Sequence, residues 1–332
     1  MTALHVGIDE NGLGARLGPL TVTAVMAEVD ERGQRYLTKK PRGRLARDLD
    51  DSKALVAHGK IAVAEAWARV LTDVRLNSPA EVLGVLCRES SDELQGRCPK
   101  AALSQCWTTR REAFQADAEI VKRIHQHRAA LQKKGVTIVK VQTEVVCVDR
   151  LNAERGAGAN RFISDLHAME RLVLSLRQQV TTDLNVVCGK VGGMHDYPSY
   201  FGPLAGRLHV VLEQVKRRST YRFPKLGELS FVQDADSAHA LVMLASLVGK
   251  YVRELLMERI WHYYTPVPAS HGSSRADTTS HDARRGSSSR PAPRSVSGYN
   301  DPLTKAFIQS TRLVRGRRGI PDSCFERVGA DG

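Results

Sequence analysis

The chain has 332 residues, enough for one large domain or two ordinary ones with a substantial hydrophobic core, and its apolar content of 42% fits a soluble globular protein. Lys and Arg outnumber Asp and Glu by 49 to 36, a net charge of +13 that favours a polyanionic partner, nucleic acid before an anionic membrane. The longest apolar stretch, 238–249, is too short to span a bilayer and contains His239 and Ser246, which argues against a membrane protein.

In chain order, residues 4–9 and 20–28 read as two strands joined by a glycine loop, a hairpin-like start. A polar turn at 47–55 leads into a helix within 59–74, residues 80–110 give no clear pattern, and 110–134 is a charged helix ending at Gly135. A strand at 136–146 precedes an amphipathic helix over 160–180, with Phe162, Leu166, Met169, Leu172 and Val173 on one face. A short buried strand follows at 184–189, then another at 208–215, a basic patch at 216–225, and a strand leading into a buried helix over 238–264. Residues 265–297 are rich in Ser, Arg, Pro and Gly and read as a disordered insertion, after which order returns at 298. Interleaved strands and helices make the class α/β with a mixed sheet.

The six cysteines form no CxxC pair and have no His partners at zinc spacing, so they read as scattered reduced thiols in a cytoplasmic protein. No basic segment followed by an apolar core marks a signal peptide at the N-terminus.

The chemistry gathers at strand ends. Asp9 and Glu10 are adjacent carboxylates that repel when close, and a divalent cation removes that penalty; hard oxygen donors suit magnesium or manganese. The alternative is that Asp9–Gly12 is a plain polar turn. Gly12 and Gly14 lack a Cβ, so a substrate backbone can approach and their amides can meet phosphate oxygens. Asp51, Ser52 and Lys53 form a helix start, either an ordinary cap or an anion site. Lys250 and Glu254 lie four residues apart and suit a surface pair, although the apolar residues around Glu254 also suit a site.

Four segments in this order, "GIDENGLGARLGPL", "DDSKAL", "ASLVGKYVRELLM" and "GYNDPLTKAFI", resemble the corresponding segments of type 2 ribonuclease H (ribonuclease HII). The resemblance runs from residue 5 to about 325, with 80–135 and 265–297 poorly matched. It implies a ribonuclease H-like fold, a central mixed sheet flanked by helices with a C-terminal helical extension. The implied organisation is a catalytic domain over 1–264, the insertion over 265–297, and a segment over 298–332 that packs back on the domain. The implied activity is metal-dependent cleavage of RNA in RNA–DNA hybrids, or at ribonucleotides embedded in DNA, leaving 3′-hydroxyl and 5′-phosphate ends, with Mg2+ or Mn2+, two ions in the parent family. The expected protein is a monomer that binds nucleic acid and no membrane.

Carried over residue by residue, the resemblance makes Asp9, Glu10 and Glu254 the catalytic metal ligands, Glu254 standing for a family aspartate. Substrate contacts fall to Gly12, Leu13, Gly14, Ser52, Lys53, Lys190 and Tyr299, with Leu13 where the family has arginine. A middle aspartate of the family is missing: its place falls on Gly189 or Cys188, and neither supplies an oxygen side chain. Asp196, Asp234 or Asp236 reaching in from nearby, weak one-ion catalysis, and a non-catalytic hybrid binder of the same fold all remain open.

Overall fold

A computed structural model describes residues 2–109, 111–265 and 295–329. Seven strands form one mixed sheet: β1 (Ala3–Asn11), β2 (Leu20–Val29), β3 (Val136–Val146), β4 (Leu184–Gly189), β5 (Val210–Val215), β6 (Arg218–Phe223) and β7 (Gly227–Val232). Their spatial order is β3-β2-β1-β4-β7-β6-β5. β1, β4 and β7 run parallel in the centre, and the outer pairings on both sides are antiparallel. The expected α/β class with a central mixed sheet flanked by helices is what the chain forms.

Six helices matter to the argument: α1 (Ser52–Leu55), α2 (Ala62–Leu71), α3 (Ala118–Lys133), α4 (Arg161–Gln178), α5 (Ala240–Tyr264) and α6 (Pro302–Arg317). Local chemistry fixes several of their starts. Asn160 accepts bonds from the Phe162 and Ile163 amides to open α4, and Asp117 does the same for α3 through Ile120. Asp301 caps α6, with Pro302 in the first turn, where its missing N–H costs nothing.

The sheet has a helix layer on each face. Side-chain alternation turns Gly7, Asp9 and Asn11 of β1 toward α5, and Val6, Ile8 and Glu10 toward α4. On the first side Leu241, Leu244, Leu247 and Val248 of α5 pack with Trp67 of α2 and Leu131 of α3. On the other, Val6 and Ile8 pack with Leu166, Met169 and Leu172 of α4, and with Tyr197, Tyr221 and Phe231. The close seating of α5 requires glycine at one crossing: a Cβ on Gly249 would stand 2.7 Å from Asn11 Nδ2 and 2.9 Å from Thr23 Oγ1. Asn11 Nδ2 donates to the Ser246 carbonyl (3.1 Å) and Thr21 Oγ1 to that of Gly249 (3.1 Å), which fixes helix against strand.

Several expectations change. Residues 80–110 form three short helices, Pro79–Leu86, Ser91–Gly96 and Lys100–Trp107. The charged helix starts only at Ala118. The basic patch at 216–225 is the turn and second strand of a β-hairpin; Tyr221 and Phe223 of β6 are buried in the core while Arg218 and Arg222 point outward. Of the insertion assigned to 265–297, residues 266–294 lie outside the described residues. Its C-terminal edge is packed: Val296 is buried and Ser295 Oγ lies 2.9 Å from His58 Nε2. The segment beyond packs against the loop between β1 and β2, since the Arg16 and Leu17 amides donate to the Gly298 carbonyl (2.8 and 3.0 Å) and the Arg327 amide to that of Arg16 (2.9 Å).

Candidate active site

β1 extends through Asn11, so Asp9 and Glu10 sit within a regular strand rather than at a frayed end, with Asp9 opposite Thr23 and Glu10 opposite Val22 on β2. Alternation sends them to opposite faces. They nevertheless border one cleft, because the parallel neighbour β4 ends beside them at Gly189. A Cβ there would lie 3.1 Å from Asp9 Oδ1 and 3.5 Å from Glu10 Oε2. The side chain of residue 189 therefore belongs between the two carboxylates, and this chain has none. Cys188 points into the core instead.

The cleft on the α5 side is lined by Asp9, Glu10, Gly12, Leu13, Gly14, Ser52, Lys53, Asp236, Ser246, Lys250 and Tyr299. Its continuation past the carboxylates is lined by Gly189, Lys190, Lys216 and again Asp236. Every residue expected to touch substrate thus borders this continuous groove, as do two of the three expected ligands.

Glu254 does not join them. Ser246, which bonds the Asp9 carboxylate, is eight residues away on the same helix, about 12 Å along its axis. Glu254 is buried in a separate pocket, 2.6 Å from His58 Nδ1, 3.0 Å from Lys250 Nζ and 3.6 Å from Arg253 Nη1. Burial opposes its charge, but the His58 bond and the Lys250 charge outweigh burial and hold its carboxyl down to about 2. It is neither an exposed surface pair nor a partner of Asp9 and Glu10. The carboxylate that borders both halves of the groove is Asp236, which follows the end of β7 at Val232 by way of a turn at Asp234, whose φ is 57°; Asp234 itself borders only the continuation past the carboxylates. Asp234 and Asp196 are exposed, and Asp196 accepts a bond from Ser199.

Asp9 and Glu10 are costly to ionise. Burial pushes Asp9 well above the carboxylate range, Glu10 and Asp236 push the same way, and Ser246 and Lys53 only partly oppose them. Burial likewise raises Glu10 to about 7, with Asp236 adding to it and its own backbone amide and Lys53 opposing. Lys53 Nζ lies 3.7 Å from Asp236 Oδ2.

A further acid was not expected. Asp165 on α4 is fully buried, neither of its oxygens has a hydrogen-bond partner, and the charges that act on it are those of Glu10 and Asp9. The signal for it was present: three residues after Phe162 and four before Met169, it is a charge on the apolar face of an amphipathic helix.

The glycine loop is held rigidly. Gly12 has φ +91°, and its carbonyl accepts from Arg327 Nη1 (2.6 Å), while the Gly18 carbonyl accepts from Arg327 Nε and Nη2 (3.0 and 2.7 Å). Arg253, fully buried, donates to the Leu17 carbonyl (3.3 Å) and lies 4.6 Å from the Tyr299 ring centre. At Ser52 the anion reading gives way to the cap: α1 has four residues, and Asp51 itself accepts from the Lys53 amide (2.9 Å). Ser52 Oγ instead meets Ser246 Oγ at 2.9 Å, behind Asp9. Lys190 Nζ bonds the Lys216 carbonyl and lies 3.2 Å from His195 Nδ1, which ties the end of β4 to the β5–β6 turn.

The donor set of Asp9, Glu10 and Asp236 is all oxygen and fits a hard divalent cation in chemistry. The mutual repulsion and the unpartnered Asp165 behind it are what such a cation would relieve. Among the described residues, no three His, Cys, Asp or Glu side chains converge into a finished metal cage, so ligation requires these side chains to turn toward the groove. No helix among the described residues is long and apolar enough to cross a membrane.

No protein-family model matches the chain, and no curated protein matches it. Among solved structures it is similar to RNase HII of Archaeoglobus fulgidus in a PCNA:RNase HII complex, with 16% identity, coverage of 98% of this chain and 94% of that one, and a TM-score of 0.41. It is similar also to ribonuclease H2 from Pyrococcus horikoshii OT3, at 13% identity, 97% and 92% coverage, and a TM-score of 0.42. A third is Bst-RNase HIII in complex with Mn2+, at 16% identity, 79% and 55% coverage, and a TM-score of 0.36. Likeness at this level assigns no activity.

Proposed function

We propose that the chain is a divalent-metal-dependent nuclease of the ribonuclease H type that cuts RNA within RNA–DNA hybrids or at ribonucleotides embedded in DNA. The observation that supports it is the groove itself: Asp9, Glu10 and Asp236 border a cleft whose rim carries Lys53, Lys190, Lys216 and Lys250. Acid in the floor and base on the rim suit a phosphodiester held against a cation. The order of the four sequence segments supports the substrate class.

Asp9, Glu10 and Asp236 would hold Mg2+ or Mn2+, which when bound lowers the pKa of water and stabilises charge on phosphate oxygens. The chain's own residues do the rest. Lys53 and Lys250 place positive charge where a phosphate would approach the carboxylates. The Gly12–Gly14 backbone, pinned by Arg327, lets a nucleotide approach without side-chain interference. Tyr299, backed by Arg253, offers a flat face to a sugar. Ser246 and Ser52 orient the Asp9 carboxylate from behind.

A second reading is a hybrid-binding protein without catalysis, favoured by the bare Cα of Gly189 between the two carboxylates. One assay separates them: a duplex carrying a single ribonucleotide, with Mg2+ or Mn2+. Nicking that Asp9→Asn and Asp236→Asn abolish, with circular dichroism unchanged, supports the nuclease. Binding without nicking supports the second reading, and nicking that survives Asp9→Asn removes the proposed site.

A further inference from the structure

Three residues from distant parts of the chain form one hydrogen-bonded line beside the Glu254 pocket. His58 sits in the turn between α1 and α2, Glu254 on α5, and Ser295 just before the buried Val296. Glu254 Oε2 lies 2.6 Å from His58 Nδ1, and Ser295 Oγ lies 2.9 Å from His58 Nε2. The two contacts use the two nitrogens of one ring. Lys250 Nζ at 3.0 Å and Arg253 Nη1 at 3.6 Å face the other Glu254 oxygen and keep the carboxylate charged. An ionised acid on Nδ1 can only accept, so Nδ1 carries the hydrogen. In the neutral imidazole Nε2 then holds the lone pair, and the Ser295 hydroxyl donates to it.

We infer that Ser295, His58 and Glu254 are the nucleophile, base and orienting acid of a second active site, one that hydrolyses small neutral carboxylic esters. A serine within hydrogen-bond reach of a base that a third group holds in place is the arrangement that activates the hydroxyl, and it is recognised by geometry rather than by order along the chain. All three residues line a pocket of about 220 Å3, against the roughly 10–15 Å3 that one water takes on that measure. The hydroxyl therefore borders space that a substrate can enter. Ile61, Met257, Val296 and Trp261 give the pocket an apolar wall suited to a short acyl chain. Glu258 also borders it, and a second negative charge beside Glu254 disfavours an anionic substrate.

The backbone of Gly59 passes beside the nucleophile. A Cβ there would stand 3.8 Å from Ser295 Oγ and meet nothing else within 4 Å beyond its chain neighbours. Gly59 has φ +75° in a turn closed by the Lys60 amide on the Ala57 carbonyl (2.9 Å), and among the described residues its own amide has no acceptor. That amide is the donor available to a carbonyl oxygen as it gains negative charge. Ser295 Oγ bonds to the acyl carbon while its proton passes to His58 Nε2. The carbon–oxygen bond to the alcohol then breaks, and the alcohol leaves with that proton. Water repeats the sequence on the acyl-serine, giving its proton to Nε2 and its hydroxyl to the acyl carbon. The carboxylic acid leaves and the proton returns to Ser295. None of these groups belongs to the groove of Asp9 and Glu10, so the inference stands apart from the nuclease reading.

The test is the full chain treated with a fluorophosphonate, which traps an activated serine as fluoride leaves, and assayed with p-nitrophenyl butyrate. Peptide mass mapping should find the adduct on Ser295. Ser295→Ala and His58→Ala should lose the adduct and lower kcat by about 100-fold or more, while Ser310→Ala, on the exposed face of α6, changes neither. Glu254 acts through His58, so Glu254→Gln should lower kcat by about 100-fold or more at an unchanged KM, and Glu254→Asp should restore part of it. A chain that takes no adduct on Ser295 overturns the proposal, and so does an adduct that survives in folded His58→Ala. Ester hydrolysis undiminished in folded Ser295→Ala has the same consequence. Should Glu254→Gln fail to fold, the serine and histidine variants decide.

Discussion

Gly189 faces Asp9 across the end of two parallel strands, so closely that a Cβ on the glycine would lie 3.1 Å from Asp9 Oδ1. Gly189→Asp would therefore set a third carboxylate directly against Asp9 and Glu10. Without metal it should lower the melting temperature, since it adds like charge to a buried pair. With Mn2+ it should tighten binding by roughly tenfold, ~1.4 kcal/mol, and raise nicking. Calorimetric Mn2+ titration of the two chains checks this; equal affinities in a folded variant would mean that the position does not limit the site.

Asp165 is the opposite case, a carboxylate present with nothing to bond. An unsatisfied buried polar group costs about 1–3 kcal/mol, so Asp165→Leu, which keeps the branched skeleton with slightly larger methyls in place of the oxygens, should raise the melting temperature of the metal-free chain. If the acid turns toward a bound ion, the same substitution weakens Mn2+ binding. Thermal unfolding in EDTA and in Mn2+ reads both effects, and a destabilised metal-free variant would show that Asp165 has partners in solution.

The acidic cluster also sets a pH dependence. Glu10 is raised from 4.5 to about 7 in the folded chain, so between those values the native state keeps a proton that the unfolded state has released. Stability of the metal-free chain should fall as pH rises from about 4.5 through 7. A divalent ion competes with those protons, so the stabilisation by Mn2+ should grow across the same window. Melting curves at several pH values, with and without Mn2+, test the sign; a metal effect independent of pH would separate ion binding from Glu10.

The strands were legible because their patterns are local. β3 and β4 fall on the expected residues 136–146 and 184–189, runs rich in β-branched residues bounded by turns. β6 was hidden because its outward arginines dominate the reading, while alternate Ser219, Tyr221 and Phe223 carry the buried face. At the site, Asp9, Glu10 and the glycine loop were visible as one continuous segment. Glu254 was misplaced because motif order gives no distance: on a helix, eight residues separate neighbours of different pockets. Asp236 reaches the groove through a left-handed turn at Asp234 that spacing does not reveal.

Glu254 gives the test that separates its pocket from the groove. Its carboxyl is held down to about 2 against 4.5 when unfolded, a depressed value whose stabilisation is complete above 4.5 and is lost as pH falls toward 2. That shift corresponds to about 3 kcal/mol. His58 is raised, chiefly by its bond to Glu254, so its contribution is complete below about 6.5 and fades as pH rises through its folded value. Glu254→Gln should therefore lower stability at neutral pH by about 3 kcal/mol and flatten the acid limb of the unfolding curve. Mn2+ affinity at Asp9 and Glu10 should stay within twofold, because no ligand has been removed. A tenfold loss of Mn2+ affinity in the folded Gln variant would return Glu254 to the metal site and require α5 to shift by more than a turn on binding.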